Sequence, residues 1–542
     1  MNRKTKILLL LASSGIVTGL SVTFSKYFGP LEWVSLIPAL IALGMMCGTE
    51  GLKLRHAYLY GLFYFEIFYS VCFHWFTALY PLDFTGLNNF YSVLVIIVAW
   101  FGLSLLQALF GGLVFVLCVL ISRTAVARRF SAIGLLSFTA VYTFYEFTQT
   151  LGWWGVPWGR LSLGQIDSLY FVQSASLFGS YFVTATVILV NTLLALAVIG
   201  FKKSERSERI YALTALGVYL ASLVLGITLY YTEQSRINGA EKITVGVIQG
   251  NFSSTEKWSA GKDFAIDRYL ELTAQAASEG AELVIWPETA LPFTYKAGGY
   301  YDKLLADAAR ECGVTLLVGA IEGTEELDRN AVICYHPSGE RDETVYAKRH
   351  LVPFGEYVPM RSVIELCLPF LMEISILDDD WMPGDDSAVF DTEVGVIGSL
   401  LCFDSIYETL SSDSARDGAE LFALSTNDSW FSDSAAVYMH NNQARLRAIE
   451  NGRSVARSAN TGLSSFITLS GDVISQLPLL ERGYLVDDLA LHSHKTLYTV
   501  IGNTFVYAIG ILALTPFACE AVLMIKKRIK RDNENNCLQN GE

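Results

Sequence analysis

Three side chains in the second half of the chain are of the types that covalent acyl chemistry needs. Cys402 closes the apolar run VGVIGSLLCF, and Asp404 and Ser405 follow it at once. Glu288 stands after Pro287 at the end of the apolar run in AELVIWPETA. Lys348 opens the Gly- and Pro-containing loop KRHLVPFGEYVP, which also carries Glu356. A thiol attacks only as thiolate, and its unperturbed pKa is about 8.5. A neighbouring ammonium and a following helix N-terminus favour the anion, and a carboxylate can take the proton and relay it to a leaving group. Each residue alone has an ordinary reading: a core-filling thiol, a surface-turn carboxylate, a solvated lysine. Together they are a base, a cation and a thiol, each at the end of a predicted strand. His350, two places past Lys348, has no triad spacing and reads as a loop residue.

The segment that must position them, 232–498, has ordinary charge and alternates short β-like runs with helical stretches. KITVGVIQGN, AELVIWPETA, VTLLVGAIEG, NAVICYHPSG, VGVIGSLLCF, ELFALSTND and SSFITLSGDV read as strands bounded by Gly, Pro, Asn or Asp. KDFAIDRYLELTAQAASEG and YYDKLLADAARECG carry helical spacing and end at Gly. This alternation predicts an α/β domain with buried sheets.

The rest of the chain is built for lipid. Over 542 residues, 52% are apolar and only 17% charged, with a mean hydropathy of +0.38; soluble chains carry about 25% charged residues. Runs long enough to span a bilayer lie near 7–24, 31–48, 57–79, 91–121, 131–150, 169–200 and 210–231, and again at 499–525. The predicted organisation is therefore a multi-pass α-helical membrane domain with seven spans (1–231), an α/β domain (232–498), a last span (499–525) and a tail (526–542). The first run has a basic start but no clear cleavage site, so it reads as an anchor.

Loop charge predicts the orientation. With the N-terminus inside, the inner segments gather Arg3, Lys4 and Lys6; Lys53 and Arg55; Arg123, Arg128 and Arg129; Lys202, Lys203, Arg206 and Arg209; and the basic cluster from Lys526 to Arg531. The short outer loops hold only Lys26 and Arg160. The positive-inside rule then puts both termini in the cytoplasm and 232–498 on the outer face. Glu66 and Glu146 lie within apolar runs, where a carboxyl is either functional or held by a helix-packing hydrogen bond. The loop LGWWGVPWGRLSLGQID suits the membrane interface or a lipid-facing cleft. The net charge of −14 argues against nucleic acid, and the nine cysteines show no metal-ligand spacing.

VIQGNFSSTEKW (247–258), VIWPETALP (284–292), KRHLVPFGEYVP (348–359), LLCFDSIY (400–407), STNDSWF (425–431) and RAIENGRSVARSANTG (447–462) occur in this order. In them the α/β domain resembles the nitrilase superfamily, with its Glu, Lys and Cys triad. With the spans added, nearly the whole chain is similar to the bacterial apolipoprotein N-acyltransferase family. The resemblance implies an αββα sandwich outside the membrane, no metal and no cofactor. It makes Glu288 the general base, Lys348 the cation that stabilises thiolate and oxyanion, and Cys402 the acyl-carrying nucleophile. Trp258, Glu356, Phe403 and Asp404 fall at positions associated with substrate or its gating loops. Two departures stand out: the family has Tyr-Glu where Phe403 and Asp404 stand here, and Gly where Ser432 stands.

The implied activity is ping-pong transfer of a fatty acyl chain from a phospholipid to the α-amine of S-diacylglyceryl-cysteine apolipoproteins, at the bacterial inner membrane. A membrane-tethered amidase or nitrilase would use the same triad with water as acceptor. A transporter lined by Glu66 and Glu146 would not need the three residues together.

Overall fold

The computed structural model describes residues 1–82, 87–202, 207–253, 256, 261–323, 328–367 and 380–539. The apolar first part forms helices, the structure that satisfies backbone polar groups without water. They are α1 (Arg3–Thr23), α2 (Ile37–Cys47), α3 (Leu54–Cys72), α4 (Asn89–Ser122), α5 (Ile133–Thr148), α6 (Ser180–Lys202) and α7 (Ser207–Gly239). Among the described residues six helical stretches are long and apolar enough to cross a membrane: Arg3–Thr23, Ser25–Cys47, Asn89–Ser122, Ser180–Phe201, Ser207–Gly239 and Thr504–Asn536. The protein is a multi-pass membrane protein. Both α3 and α5 pack against α4, while Phe90, Leu94, Val98 and Phe101 of α4 face outward. Glu146 of α5 is fully buried and accepts hydrogen bonds from the Leu161 N–H (2.9 Å) and the Thr184 hydroxyl (2.7 Å), a helix-packing role. Glu66 is half-buried, 3.5 Å from the Ser70 hydroxyl.

The α/β part is two sheets face to face. The first runs β13 (Gly483–Ala490), β1 (Lys242–Gln249), β2 (Leu283–Ile285), β4 (Thr315–Gly323), β5 (Asp328–Tyr335), β6 (Arg341–Ala347), with β3 (Leu291–Tyr295) also paired to β4. The second runs β12 (Val473–Gln476), β11 (Ser465–Ile467), β10 (Ser454–Ala459), β9 (Leu421–Thr426), β8 (Gly395–Leu401), β7 (Val389–Thr392). Val245, Val247 and Ile285 meet Ile397, Leu421 and Ala456 between the sheets. On the outer face of the first sheet, α8 (Lys262–Ser278) and α9 (Tyr300–Cys312) bury Ile266, Tyr269, Leu272 and Leu305 against Ile248, Val284 and Leu316. On the second, α10 (Glu408–Arg416) and α11 (Ala435–Asn451) lay Leu410, Leu446 and Ile449 on Phe422 and Leu424. This is the expected αββα sandwich. Covering both faces explains why the central strands read as unbroken apolar runs.

The α10–α11 layer shares one continuous core with the membrane helices. The tryptophan loop is the joint: Trp158 packs on Phe431 and His440, with ring centroids 6.1 and 5.5 Å away, and Gln443 Nε2 donates to the Pro157 carbonyl at 3.1 Å. Arg160, whose charge the sequence assigns to a short outer loop, is fully buried and pairs with Glu408 at 2.5 Å. Tyr181 of α6 donates to Glu408 at 2.9 Å, and Asn503, just before the final helix α12 (Thr504–Gln539), donates at 3.1 Å. Burial opposes the Glu408 charge, but Arg160 and Arg447 prevail and hold its carboxyl down to about 2. Removing one partner of such a pair strands a buried charge, at a cost of about 3–5 kcal/mol.

Candidate active site

Cys402 is the first residue past β8 and opens a short 3-10 turn, Cys402–Ile406. Its φ of 47° lies in the left-handed region, unfavourable for a residue with a Cβ. The bend is held from behind: the Cys402 carbonyl accepts the Ser405 hydroxyl at 2.7 Å and lies 3.1 Å from His440 Nε2. Glu288 leaves β2 through a similar bend, with Thr289 at φ 46°. That bend presses on β4, where a Cβ on Gly319 would fall 2.2 Å from the Pro287 carbonyl oxygen. Only glycine lets the carboxylate come this deep.

Lys348 follows β6, and its Nζ lies 2.8 Å from Glu288 Oε1 and 2.9 Å from Glu356 Oε1. Asn330 Nδ2 donates to the same two oxygens at 2.7 and 2.8 Å. Glu356 Oε2 accepts from the Val352 N–H at 2.8 Å, which ties the carboxylate to its own loop. Lys348, Glu288 and Glu356 are all buried. Glu288 and Thr426 are near enough to the Cys402 thiol to act on its ionisation, Glu288 opposing the thiolate by its charge and Thr426 favouring it.

Electrostatics set the resting protonation. Burial opposes charge on both Glu288 and Lys348. Their mutual attraction prevails, holding the Glu288 carboxyl below its ordinary value and the Lys348 ammonium well above. Cys402 goes the other way from the sequence expectation. It keeps part of its surface exposed, yet burial and the Glu288 charge push the thiol up, and Lys348 only partly offsets them. Nor is a long helix dipole present, since a five-residue 3-10 turn follows. The resting group is therefore a thiol beside an ionised carboxylate.

Asp404 is fully buried and turned to the lysine loop: its Oδ2 accepts from the Tyr346 hydroxyl at 2.7 Å and its Oδ1 from the His350 N–H at 2.8 Å. Burial, partly offset by Lys348, raises its carboxyl to about 6. The shorter acid thus reaches these partners directly and fixes where Lys348 emerges. Phe403 is half-buried and meets Tyr407 edge-on at 5.5 Å. His350 stacks on Tyr407 at 3.9 Å, and burial and Arg349 lower it to about 4, so the ring is neutral. Trp258 lies outside the described residues. Ser432 has φ 46°, in the left-handed region that glycine adopts freely and a residue with a Cβ rarely does.

Sequence reasoning missed Asn330, which stands in an ordinary β5 run, and the buried Asp428, His440 and Arg457 behind Cys402. STNDSWF and RSVARSAN drew notice only as motifs. A carboxylate, an imidazole and a guanidinium on three separate elements carry no local signal. Among the described residues, the grouping with metal-ligand atoms mutually within 4.8 Å is Cys334, His336 and Asp342. There His336 is already engaged with Asp342 at 3.3 Å and Glu393 at 3.1 Å.

The family model described as Carbon-nitrogen hydrolase matches residues 244–497. The model described as Apolipoprotein N-acyltransferase N-terminal domain matches residues 14–193. An apolipoprotein N-acyltransferase of Methylococcus capsulatus is 30% identical over 374 residues, 68% of this chain and 70% of that one. The chain belongs to the apolipoprotein N-acyltransferase family. An apolipoprotein N-acyltransferase of Geobacter metallireducens is 29% identical over 509 residues, 92% of each chain. Among solved structures, Nit3 of Saccharomyces cerevisiae, a member of branch 10 of the nitrilase superfamily, aligns with a TM-score of 0.38 and 18% identity, over 49% of this chain and 96% of that one.

Proposed function

We propose that this protein transfers a fatty acyl chain from a phospholipid to the N-terminal amine of S-diacylglyceryl-cysteine apolipoproteins through a thioester on Cys402. The observation that carries the reading is the buried Glu288–Lys348–Glu356 cluster acting on a thiol at a strained bend, joined through one core to membrane helices. Because the thiol is protonated at rest, proton transfer accompanies attack: as Cys402 Sγ bonds to the ester carbonyl carbon, its proton passes to Glu288. Lys348 Nζ stabilises the charge that develops on the carbonyl oxygen. The C–O bond then breaks, and Glu288 returns the proton to the departing lysophospholipid oxygen. In the second half the neutral α-amine attacks the thioester, Glu288 takes an N–H proton, and that proton goes to the departing Cys402 sulfur. Glu356 and Asp404 hold Lys348 and its loop; in this reading Phe403 meets the acyl chain, and the family resemblance gives Trp258 a part in binding it.

The orientation belongs to the same proposal. Seven spans in 1–231 and one in 499–525 hold the 232–498 domain on the outer face of the inner membrane, where both lipid-anchored substrates reside, with 526–542 in the cytoplasm. A cysteine introduced at exposed Leu480 should react with a membrane-impermeant maleimide on intact spheroplasts, whereas one at Lys527 should react only after lysis. The opposite labelling pattern would invert the topology.

Water as acceptor is favoured by one finding, the match of 244–497 to the Carbon-nitrogen hydrolase family. The two readings separate on acceptor dependence. Purified acyl-enzyme given a diacylglyceryl-cysteine peptide with a free amine should discharge at least tenfold faster than with the N-acetylated peptide, which leaves no amine to attack. Equal discharge in both, with free fatty acid as product, would establish the hydrolase instead.

A further inference from the structure

The β5–β6 hairpin carries, at its turn, a cluster that the acyl chemistry does not use. The register of the pair shifts at Cys334: Ile333 pairs with Val345 but Tyr335 with Arg341, so the ladder bulges where 342–344 pass this one residue. The bulge sets Asp342 beside Cys334, a neighbourhood that spacing along the chain does not show. Two residues further on, His336 reaches the same place. Ligand atoms of Cys334, His336 and Asp342 all lie within 4.8 Å of one another. Cys334 is fully buried, and among the described residues its thiol has no hydrogen-bond partner. The carboxylates of Asp342 and Glu393 are near enough to act on it by charge.

The distances suit ligation better than simple pairing. His336 Nε2 lies 3.3 Å from Asp342 Oδ2, long for a charge-assisted hydrogen bond, which is about 2.7–2.9 Å. It matches one edge of a zinc tetrahedron, where bonds of about 2.0–2.2 Å to nitrogen and oxygen set those atoms roughly 3.4 Å apart. The outward atoms are already held. Asp342 Oδ1 accepts from the Thr344 N–H at 2.7 Å, and His336 Nδ1 lies 3.1 Å from Glu393 Oε2. A carboxylate on the far ring nitrogen is the usual outer partner of a metal-bound histidine: it fixes the ring and leaves the other nitrogen for the metal. A thiol, an imidazole and a carboxylate suit zinc, whereas magnesium and calcium take oxygen ligands. His336 and Asp342 are partly exposed, which gives an ion and its water a way in.

We propose that Cys334, His336 and Asp342 bind one zinc ion, with water as fourth ligand and Glu393 orienting the histidine. On binding, the Cys334 S–H bond gives way to S–Zn and the proton goes to solvent. β6 is the edge strand of the first sheet and β7 that of the second, and Glu393 lies in the turn between β7 and β8. The site therefore fastens the open edge of the sandwich. Lys348 is six residues past Asp342, about 20 Å of extended strand, so the ion adds stability and takes no part in acyl transfer. The zinc site does not depend on the acyl-transfer reading, and either can fail alone.

The test uses tag-free full-length protein in detergent, washed with a chelator and titrated first with Co²⁺, then with Zn²⁺. Cobalt at this site should give a sulfur-to-metal charge-transfer band in the near ultraviolet, saturating at one ion per chain, and Zn²⁺ should abolish it. The band should persist in Cys402→Ala and be absent in Cys334→Ala. His336→Gln should weaken Co²⁺ binding at least tenfold, and because it sits at the partly exposed turn it decides if Cys334→Ala does not fold. Saturating Zn²⁺ should raise the wild-type thermal midpoint by at least about 3 °C and leave that of His336→Gln unmoved. No band in wild type, a band that survives Cys334→Ala, undiminished affinity in His336→Gln, or a wild-type midpoint indifferent to Zn²⁺ overturns the proposal.

Discussion

Cys402→Ser is expected to abolish acyl transfer, with the rate down by at least about 10³-fold, and Cys402→Ala to do the same. A serine hydroxyl is several pKa units harder to ionise than a thiol, and the site offers no strong base to compensate. Glu288 is held ionised by Lys348, which makes it a weak proton acceptor toward an alcohol. The substitution itself is small, and the bend at φ 47° is held through the backbone carbonyl, which serine retains. Folding should therefore be preserved, as judged by an unchanged thermal midpoint and elution volume. The other thiols serve as controls: Cys312 lies on α9 and Cys334 sits in the core between the sheets. Replacing either with Ala should leave transfer within threefold. Substantial residual transfer by Cys402→Ala would assign the chemistry to another group.

Lys348→Ala should lower transfer by roughly 10²–10³-fold and also destabilise the fold. Lys348 Nζ stands between two carboxylate oxygens, Glu288 Oε1 at 2.8 Å and Glu356 Oε1 at 2.9 Å, with Asn330 Nδ2 as their other shared donor. Removing the ammonium leaves two buried like charges, and one carboxyl takes up a proton. If Glu288 takes it, the base is lost; if Glu356 does, its grip on the Val352 N–H weakens and the loop shifts. Lys348→Arg keeps charge but replaces a point cation by a planar fork too broad for this space, so activity should stay below one tenth of wild type. The sign of the pH effect follows from the same pair. Glu288 is depressed below its ordinary value of 4.5, so its contribution to stability is complete above that value and fades as pH falls through the folded-state value. In Lys348→Ala that acid sensitivity should shift upward in pH, read from thermal midpoints between pH 4 and 7. A Lys348→Ala protein with wild-type turnover would remove the cation from the mechanism.

The sequence made some of this visible for clear physical reasons. The helices α8 and α9 carry an apolar stripe and end at Gly280 and Gly313, both at positive φ. The central strands β1, β4, β8 and β9 are covered on both faces and so read as apolar runs. Glu288, Lys348 and Cys402 were legible because each follows such a run or its neighbour. The strand β10 was not: SVARSA places Arg457 and Ser458 in the interior, where they serve Asp428 and the Ile248 carbonyl, and polar letters hide a central strand. The resting state of Cys402 was also hidden, because nearby Lys348 is matched by an equally near carboxylate and by burial, which no linear spacing reveals. Arg160 counts as an outer-loop charge by position, yet it is the buried partner of Glu408, 248 residues away.

The account turns on a covalent acyl group at Cys402. Purified enzyme incubated with a single defined phospholipid and no acceptor, then measured by intact mass spectrometry, tests it most directly. The predicted result is a mass gain of one fatty acyl chain, mapped to the peptide containing Cys402, absent in Cys402→Ala and released by neutral hydroxylamine as a thioester is. An enzyme that transfers acyl groups to a lipopeptide while never gaining that mass, or that gains it at another residue, would contradict the account.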